Sequence, residues 1–68
     1  MKISARNRLK GTVTDIVKGA TTAHVRIDVG GSIVTAAITN EAVDELGLVV
    51  GGEAYAIVKA SDVMVGID

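Results

Sequence analysis

Two short polar segments at opposite ends of this 68-residue chain carry the side chains best suited to hold an anion. The run Ile3–Gly11 contains Ser4, Arg6 and Asn7, and the run Lys59–Val63 pairs a lysine with a serine. Each run combines a hydroxyl, a cation and small residues that leave backbone N–H groups accessible. Hydrogen bonds from charged donors are roughly twice as strong as neutral ones. Together the two runs indicate an oxyanion site.

Taken singly, each run has a simpler interpretation: a solvated N-terminal arm in one case, and an ordinary polar turn in the other. The two chain ends of a five-stranded barrel can lie close together, however, within one subunit or across an interface. Arg6, Lys59 and the two serine hydroxyls would then converge on a tetrahedral oxyanion. The N–H groups near Ala60 and Ser61 would add a small anion-binding nest.

No group of residues in the chain suggests catalysis. The chain has no cysteine and a single histidine, His24, which we interpret as a surface or interface residue. Glu41, Asp44 and Glu45 do not match a calcium loop, and no nucleophile–base set or phosphate loop of known spacing occurs. We therefore expect a binding protein and not an enzyme, with no metal ligands and no organic cofactor.

The composition predicts an oligomer. Apolar residues make up 49% of the chain, yet it has one Tyr and neither Phe nor Trp. A chain of this length buries only about 60% of its unfolded surface, and small domains compensate with disulfides, metals or self-association. Without cysteine, and with one histidine, self-association is the remaining means.

Two classes of partner are disfavoured. The net charge of −1 and the scarcity of aromatic residues argue against a nucleic-acid surface. No apolar run approaches the ~18 residues of a membrane span, and none follows the N-terminus as a signal peptide would. We expect a cytoplasmic protein without a membrane partner.

The elements that must position the polar runs follow from the residue pattern. Alternation of apolar and polar residues predicts strands, with a bulge near Thr14 and Asp15 where the alternation changes phase. The pair Gly30–Gly31 predicts a hairpin, and a change of period predicts a helix of about two turns that ends at Gly47. The predicted strands are Leu9–Ile16, Thr22–Val29, Ser32–Ile38, Glu53–Lys59 and Val63–Ile67. The fold class is all-β: an OB-like five-stranded barrel with one short helix between strands 3 and 4.

The two polar runs, the Gly-Gly hairpin and the segment Ala42–Gly47 together resemble the molbindin family, the Mop-type molybdate-binding domains. The resemblance extends over essentially all of residues 1–68, as one domain. Arg8 is a departure, because the family commonly carries Gln at that position.

The resemblance implies a cytoplasmic homohexamer that binds molybdate or tungstate at subunit interfaces, without catalysis, for intracellular molybdenum storage and homeostasis. It also implies a second class of site near a symmetry axis, for which an ordinary turn is the alternative. The implied ligand residues of the first site are Ser4, Ala5, Arg6, Asn7, Lys59, Ala60 and Ser61; the candidates for the second are Lys18, Gly19, Ala20 and Thr21.

Two other functions remain open at this point. One is a purely structural oligomerisation module in which Arg6 and Lys59 form only intersubunit ion pairs. The other is a small OB-type nucleic-acid-binding domain, which the fold allows and the charge balance disfavours.

Overall fold

The computed structural model describes residues 1–68 and contains one antiparallel sheet with the strand order β3-β2-β1-β4. The sheet curls into a half-barrel. The strands are β1 (Asn7–Lys18), β2 (Thr22–Asp28), β3 (Ile33–Thr39) and β4 (Glu53–Val58), and the helix α1 (Asn40–Glu45) lies between β3 and β4 in the chain. The predicted all-β class is confirmed.

Strand β1 is long because it serves two neighbours. Its first half pairs with β4 and its second half with β2, and the register shifts between Val13 and Asp15. This is the predicted bulge. Val13 donates from its N–H to the carbonyl of Gly52 at 2.9 Å and accepts from the N–H of Gly51 at 2.8 Å. Both backbone hydrogen-bonding groups of Val13, at the start of the irregular segment, are thus satisfied.

The β2–β3 hairpin turns at two glycines, as the sequence predicts. Gly30 and Gly31 have φ values of 100° and 101°, which residues with a Cβ rarely adopt. Oδ1 of Asp28 accepts hydrogen bonds from the N–H groups of Gly30 (2.9 Å) and Gly31 (3.2 Å). These two bonds favour the ionised carboxylate and hold the pKa of Asp28 below its ordinary value.

Helix α1 is short and contacts β2 and β3. Thr39 caps it by accepting a hydrogen bond from the N–H of Ala42 at 3.0 Å, and Gly47 follows its C-terminus at φ 63°. Val43 is its one buried residue. No helix of the chain is long and apolar enough to cross a membrane.

The core is small for the apolar content of the chain. Six of 68 residues are buried, and none of them is larger than isoleucine. The alternation of β2 predicts its inward face, since Ala23, Val25 and Ile27 are all among them. The other three are Val13, Val43 and Ala56.

The predicted fifth strand is wrong for the single chain, which has four strands. After β4, Ala60–Asp62 form one 3-10 turn, and the segment 63–68 has no regular secondary structure. Val63–Ile67 has the composition of a strand, but a strand needs a neighbouring strand edge for its backbone N–H and C=O groups, and no such edge of the same chain pairs with it.

The Asp28 turn predicts an acid-dependent stability. Because the folded-state pKa of Asp28 is lowered, its contribution is complete above the unfolded-state pKa and is lost as the pH falls through the folded-state pKa. We expect the Tm difference between the wild type and Asp28→Asn to shrink from about pH 6 to about pH 2. Thermal unfolding followed by circular dichroism measures it, and a pH-independent difference would contradict the assignment.

Candidate oxyanion-binding site

Pairing between β1 and β4 brings the two polar runs to one end of the sheet. Asn7 lies opposite Val58 in the ladder, and its Nδ2 donates to the carbonyl of Val58 at 3.1 Å. In an antiparallel pair, the residue before Asn7 and the residue after Val58 leave the sheet at the same point. Arg6 and Lys59 therefore flank the same end of the ladder, although they are far apart in sequence.

The N-terminal run enters the sheet as irregular chain. Ser4 and Arg6 are exposed, whereas Ala5 and Asn7 are half-buried. The N–H groups of Ser4, Ala5 and Arg6 form none of the backbone hydrogen bonds found outside the regular elements. They are available to an acceptor. Asn7 starts β1 and commits one of its two amide N–H donors to Val58, so the other remains for a ligand.

The C-terminal run forms a tight turn directly after β4. Lys59 precedes the 3-10 turn, and its carbonyl accepts from the N–H of Asp62 at 2.9 Å. The side chain of Lys59 does not cap the turn. The N–H groups of Ala60 and Ser61 form no hydrogen bond among those of the turns and loops. All three residues are exposed.

The distribution of ion pairs sets this end of the molecule apart. The pairs are Lys10–Glu53 at 3.3 Å, Lys18–Asp44 at 2.6 Å and Arg26–Asp15 at 3.8 Å. The remaining four cations form no salt bridge. Lys2 and Arg6 lie in the N-terminal arm, Arg8 lies at the start of β1, and Lys59 directly follows β4.

This arrangement suits the recognition of an anion by charge and hydrogen bonds. Guanidinium, ammonium, hydroxyl and N–H groups are all donors, and the four cations have no carboxylate partner to displace. Arg8 neighbours Asn7 in β1 and thus points to the opposite face of the sheet. It adds positive charge without joining the other donors. Contact of the predicted residues with an oxyanion stays a prediction.

The candidate second site lies at the other end of β1. Lys18 ends the strand, and Gly19–Thr21 form the turn into β2. The N–H of Gly19 is used, since it donates to the carbonyl of Thr22 at 2.8 Å. The N–H groups of Ala20 and Thr21 have no such partner. The turn therefore offers two free donors beside one lysine.

Two residues that shape this turn were missed at the sequence level. Asp44 of α1 accepts the 2.6 Å hydrogen bond from Lys18, whereas the sequence showed only that Asp44 does not belong to a calcium loop. Asn40 donates from Nδ2 to the carbonyl of Gly19 at 2.9 Å and from its N–H to that of Thr21 at 2.8 Å. These pairs span about 20 to 26 residues, so no local pattern announces them.

Comparison with known families shows the family of the chain. The model of the family described as "TOBE domain" matches residues 3–65, nearly the whole chain. The chain belongs to the TOBE family, in its molbindin branch. This molbindin domain is 54% identical over 69 residues to a probable molybdenum-pterin-binding protein of Haemophilus influenzae, with 100% of each chain covered.

Solved structures show the same fold. The molybdate-binding protein of Sporomusa ovata has a TM-score of 0.92 at 45% identity, with 98% of this chain and 100% of that chain covered. The cytoplasmic molybdate-binding protein ModG, in a molybdate-bound form, has a TM-score of 0.93 at 45% identity; the match covers 100% of this chain and 49% of ModG. Both relatives are named as molybdate-binding proteins.

The Lys18–Asp44 pair generates a prediction for the second site. An anion at the turn must compete with the Asp44 carboxylate for Lys18. Exposed pairs contribute about 0.2–1 kcal/mol, so Asp44→Asn should raise the anion affinity of the turn by roughly 1.5- to 5-fold. Titration calorimetry with molybdate in an Arg6→Ala background, which weakens the first site, would measure this.

Glu45→Gln is the matched control for Asp44→Asn, because it removes the same charge from the adjacent, exposed residue that pairs with no cation. It should leave the affinity of the turn unchanged. Equal affinities for the Arg6→Ala protein with and without Asp44→Asn would contradict the assignment of the turn as an anion site.

Proposed function

We propose that this domain, over residues 1–68, binds molybdate, and tungstate through the same contacts, at subunit interfaces of a homohexamer, and that it serves intracellular molybdenum storage and homeostasis without catalysis. One observation carries the proposal. The β1–β4 pairing joins two donor-rich runs at the end of the sheet where Arg6, Arg8 and Lys59 lack carboxylate partners.

The chemistry of the ligand matches these donors. Molybdate is a tetrahedral dianion with four acceptor oxygens, so it needs donors on several sides and positive charge. In the proposed site, Arg6 and Lys59 supply charge, Ser4 and Ser61 supply hydroxyls, and the backbone near Ala5 and Ala60 supplies N–H groups. The second amide N–H of Asn7 completes the set. Sulfate presents the same acceptors, so selectivity must come from the size of the assembled pocket.

A single copy encloses only part of such a ligand. Arg6, Lys59 and Ser61 are exposed, so one chain offers donors from one side and solvent takes the other. A neighbouring copy would supply the missing side and exclude water, which strengthens each charged hydrogen bond. Binding would then stabilise the oligomer by mass action, since the ligand binds the assembled form.

The relatives support the ligand class and the compartment. The proteins most similar to this chain include ones named for binding molybdenum-pterin or molybdate, and ModG is described as cytoplasmic. We extend both properties to this domain, which we place in the cytoplasm. We also propose the turn Lys18–Thr21 as a second, weaker oxyanion site, in which Lys18 is shared with Asp44.

Substitution of the two cations tests the first site. Arg6→Ala or Lys59→Ala removes a charged donor, and hydrogen bonds to charged groups contribute about 1.5–3 kcal/mol. We expect a roughly 10- to 100-fold weaker molybdate Kd in each variant. Titration calorimetry gives the Kd, and size-exclusion chromatography shows whether the oligomer persists.

Lys10→Ala is the matched control for these variants. Lys10 is a cation in β1, but it is paired with Glu53 and lies within the β1–β4 ladder, away from the end of the sheet that carries the site. Its loss should leave the molybdate Kd within about twofold. Unchanged affinity in both Arg6→Ala and Lys59→Ala would refute the site assignment.

The exposed apolar residues favour the structural oligomerisation module as a second candidate. Native mass spectrometry with molybdate, and with sulfate as control, separates the two. We expect a hexamer that gains discrete molybdate masses and few sulfate masses. A hexamer indifferent to molybdate would establish the structural module, and a monomer under all conditions would refute the interface proposal.

A further inference from the structure

The turn between β1 and β2 is held from two directions. Within the turn, the N–H of Gly19 donates to the carbonyl of Thr22 at 2.8 Å. On the other side lies the start of α1. Thr39 pairs with Thr22 at one end of the β2–β3 ladder. The next residues outward, Asn40 and Thr21, therefore leave the sheet at the same end, and Asn40 lies against the turn.

Asn40 engages two carbonyls of the turn. Its Nδ2 donates to the carbonyl of Gly19 at 2.9 Å, and its backbone N–H donates to the carbonyl of Thr21 at 2.8 Å. A carbonyl oxygen carries partial negative charge and repels an oxyanion. Because both carbonyls are directed to Asn40, neither faces a ligand on the other side of the turn.

The bond from the Asn40 side chain also orients a donor. The carbonyl of Gly19 and the N–H of Ala20 belong to one peptide unit, and in a trans peptide these two groups point in opposite directions. With its carbonyl held by Asn40, this peptide unit directs the Ala20 N–H away from Asn40. That N–H has no partner within the chain.

We propose that Asn40 is the positioning residue of the second oxyanion site: its amide fixes the peptide plane between Gly19 and Ala20, so that the Ala20 N–H points to the ligand. The inference rests on the second site of the proposed function and names the residue that shapes it.

The other half of the Asn40 amide shows that stability alone does not account for this residue. Oδ1 is buried and has no hydrogen-bond partner. A buried acceptor without a donor destabilises the folded chain. Leucine has a similar volume and no polar atom to bury, so it would avoid this cost. What only asparagine supplies here is the Nδ2 donor to the turn.

Gly19 restricts the same peptide plane from the other side. A Cβ at this position would lie 2.9 Å from the carbonyl oxygen of Thr22, so a side chain would fit only if the turn shifted. The turn is thus held by close packing at Gly19 and by the Asn40 amide, which leaves its first peptide plane little freedom to rotate.

Asn40→Leu tests the inference. It removes the Nδ2 donor and the unpartnered Oδ1 together, and it keeps the backbone N–H that binds Thr21. We expect an unchanged or higher Tm by circular dichroism. We expect the molybdate Kd of the turn, measured by titration calorimetry in the Arg6→Ala background, to rise roughly 2- to 12-fold, the effect of one neutral hydrogen bond.

Thr39→Ala is the matched control. It changes the adjacent residue and removes the cap on the N–H of Ala42, so it should lower the Tm and leave the Kd of the turn unchanged. A Kd that rises in both variants in step with a loss of Tm would show a purely structural role and overturn the inference.

A measurement without ligand reports on the peptide plane directly. The ¹⁵N order parameter of the Ala20 N–H should be that of rigid backbone in the wild type and in Thr39→Ala, and should fall in Asn40→Leu. An equal order parameter in all three proteins would refute the positioning role.

The calorimetry distinguishes the failure of this inference from that of the proposed function. If the Arg6→Ala protein binds molybdate with the same Kd with and without Asn40→Leu, the positioning role is refuted and the second site stands. If the wild type binds molybdate and the Arg6→Ala protein binds none, the second site and this inference are both refuted, and the first site stands.

Discussion

The antiparallel pairing of Asn7–Thr12 with Glu53–Val58 is the contact on which both the core and the candidate site depend. Its register turns Ala56 into the core, where it is 6% exposed, and sets Asn7 against the carbonyl of Val58. A slip by one residue would reverse the faces of β4 and expose Ala56. It would also separate the ends of the two polar runs. Selection for a packed core therefore also maintains the geometry at the end of the sheet.

The thin core explains the composition. The inward face of β2 is built from alanine, valine and isoleucine, and Gly11 in β1 lies so close to the backbone of Asp28 that a Cβ would collide with its carbonyl. The buried residues of this half-barrel are therefore no larger than isoleucine, and the one aromatic residue, Tyr55, is 45% exposed. The apolar residues left outside are numerous, and in the proposed oligomer neighbouring copies would cover part of them.

The sequence predicts those features that depend on local residue order. Alternation identified the buried face of β2, the phase change at Thr14 identified the bulge, and the paired glycines identified the hairpin. The fifth strand failed because alternation shows that Val63–Ile67 can form a strand but not where its partner edge lies. Residue types suggested both candidate sites. Strand register brings together the two polar runs that form the first of them. The Lys18–Asp44 pair, between segments 26 residues apart, could not be predicted from spacing.

The four cations without carboxylate partners have a consequence for the ligand-free protein. Positive charges gathered at one end of a small molecule are surrounded by mobile counter-ions, which the surrounding solution supplies. Binding of a dianion there would be an ion exchange, in which chloride or phosphate leaves as the ligand arrives. The apparent affinity of such a surface is a property of the protein together with the electrolyte around it, and it rises when the electrolyte is dilute.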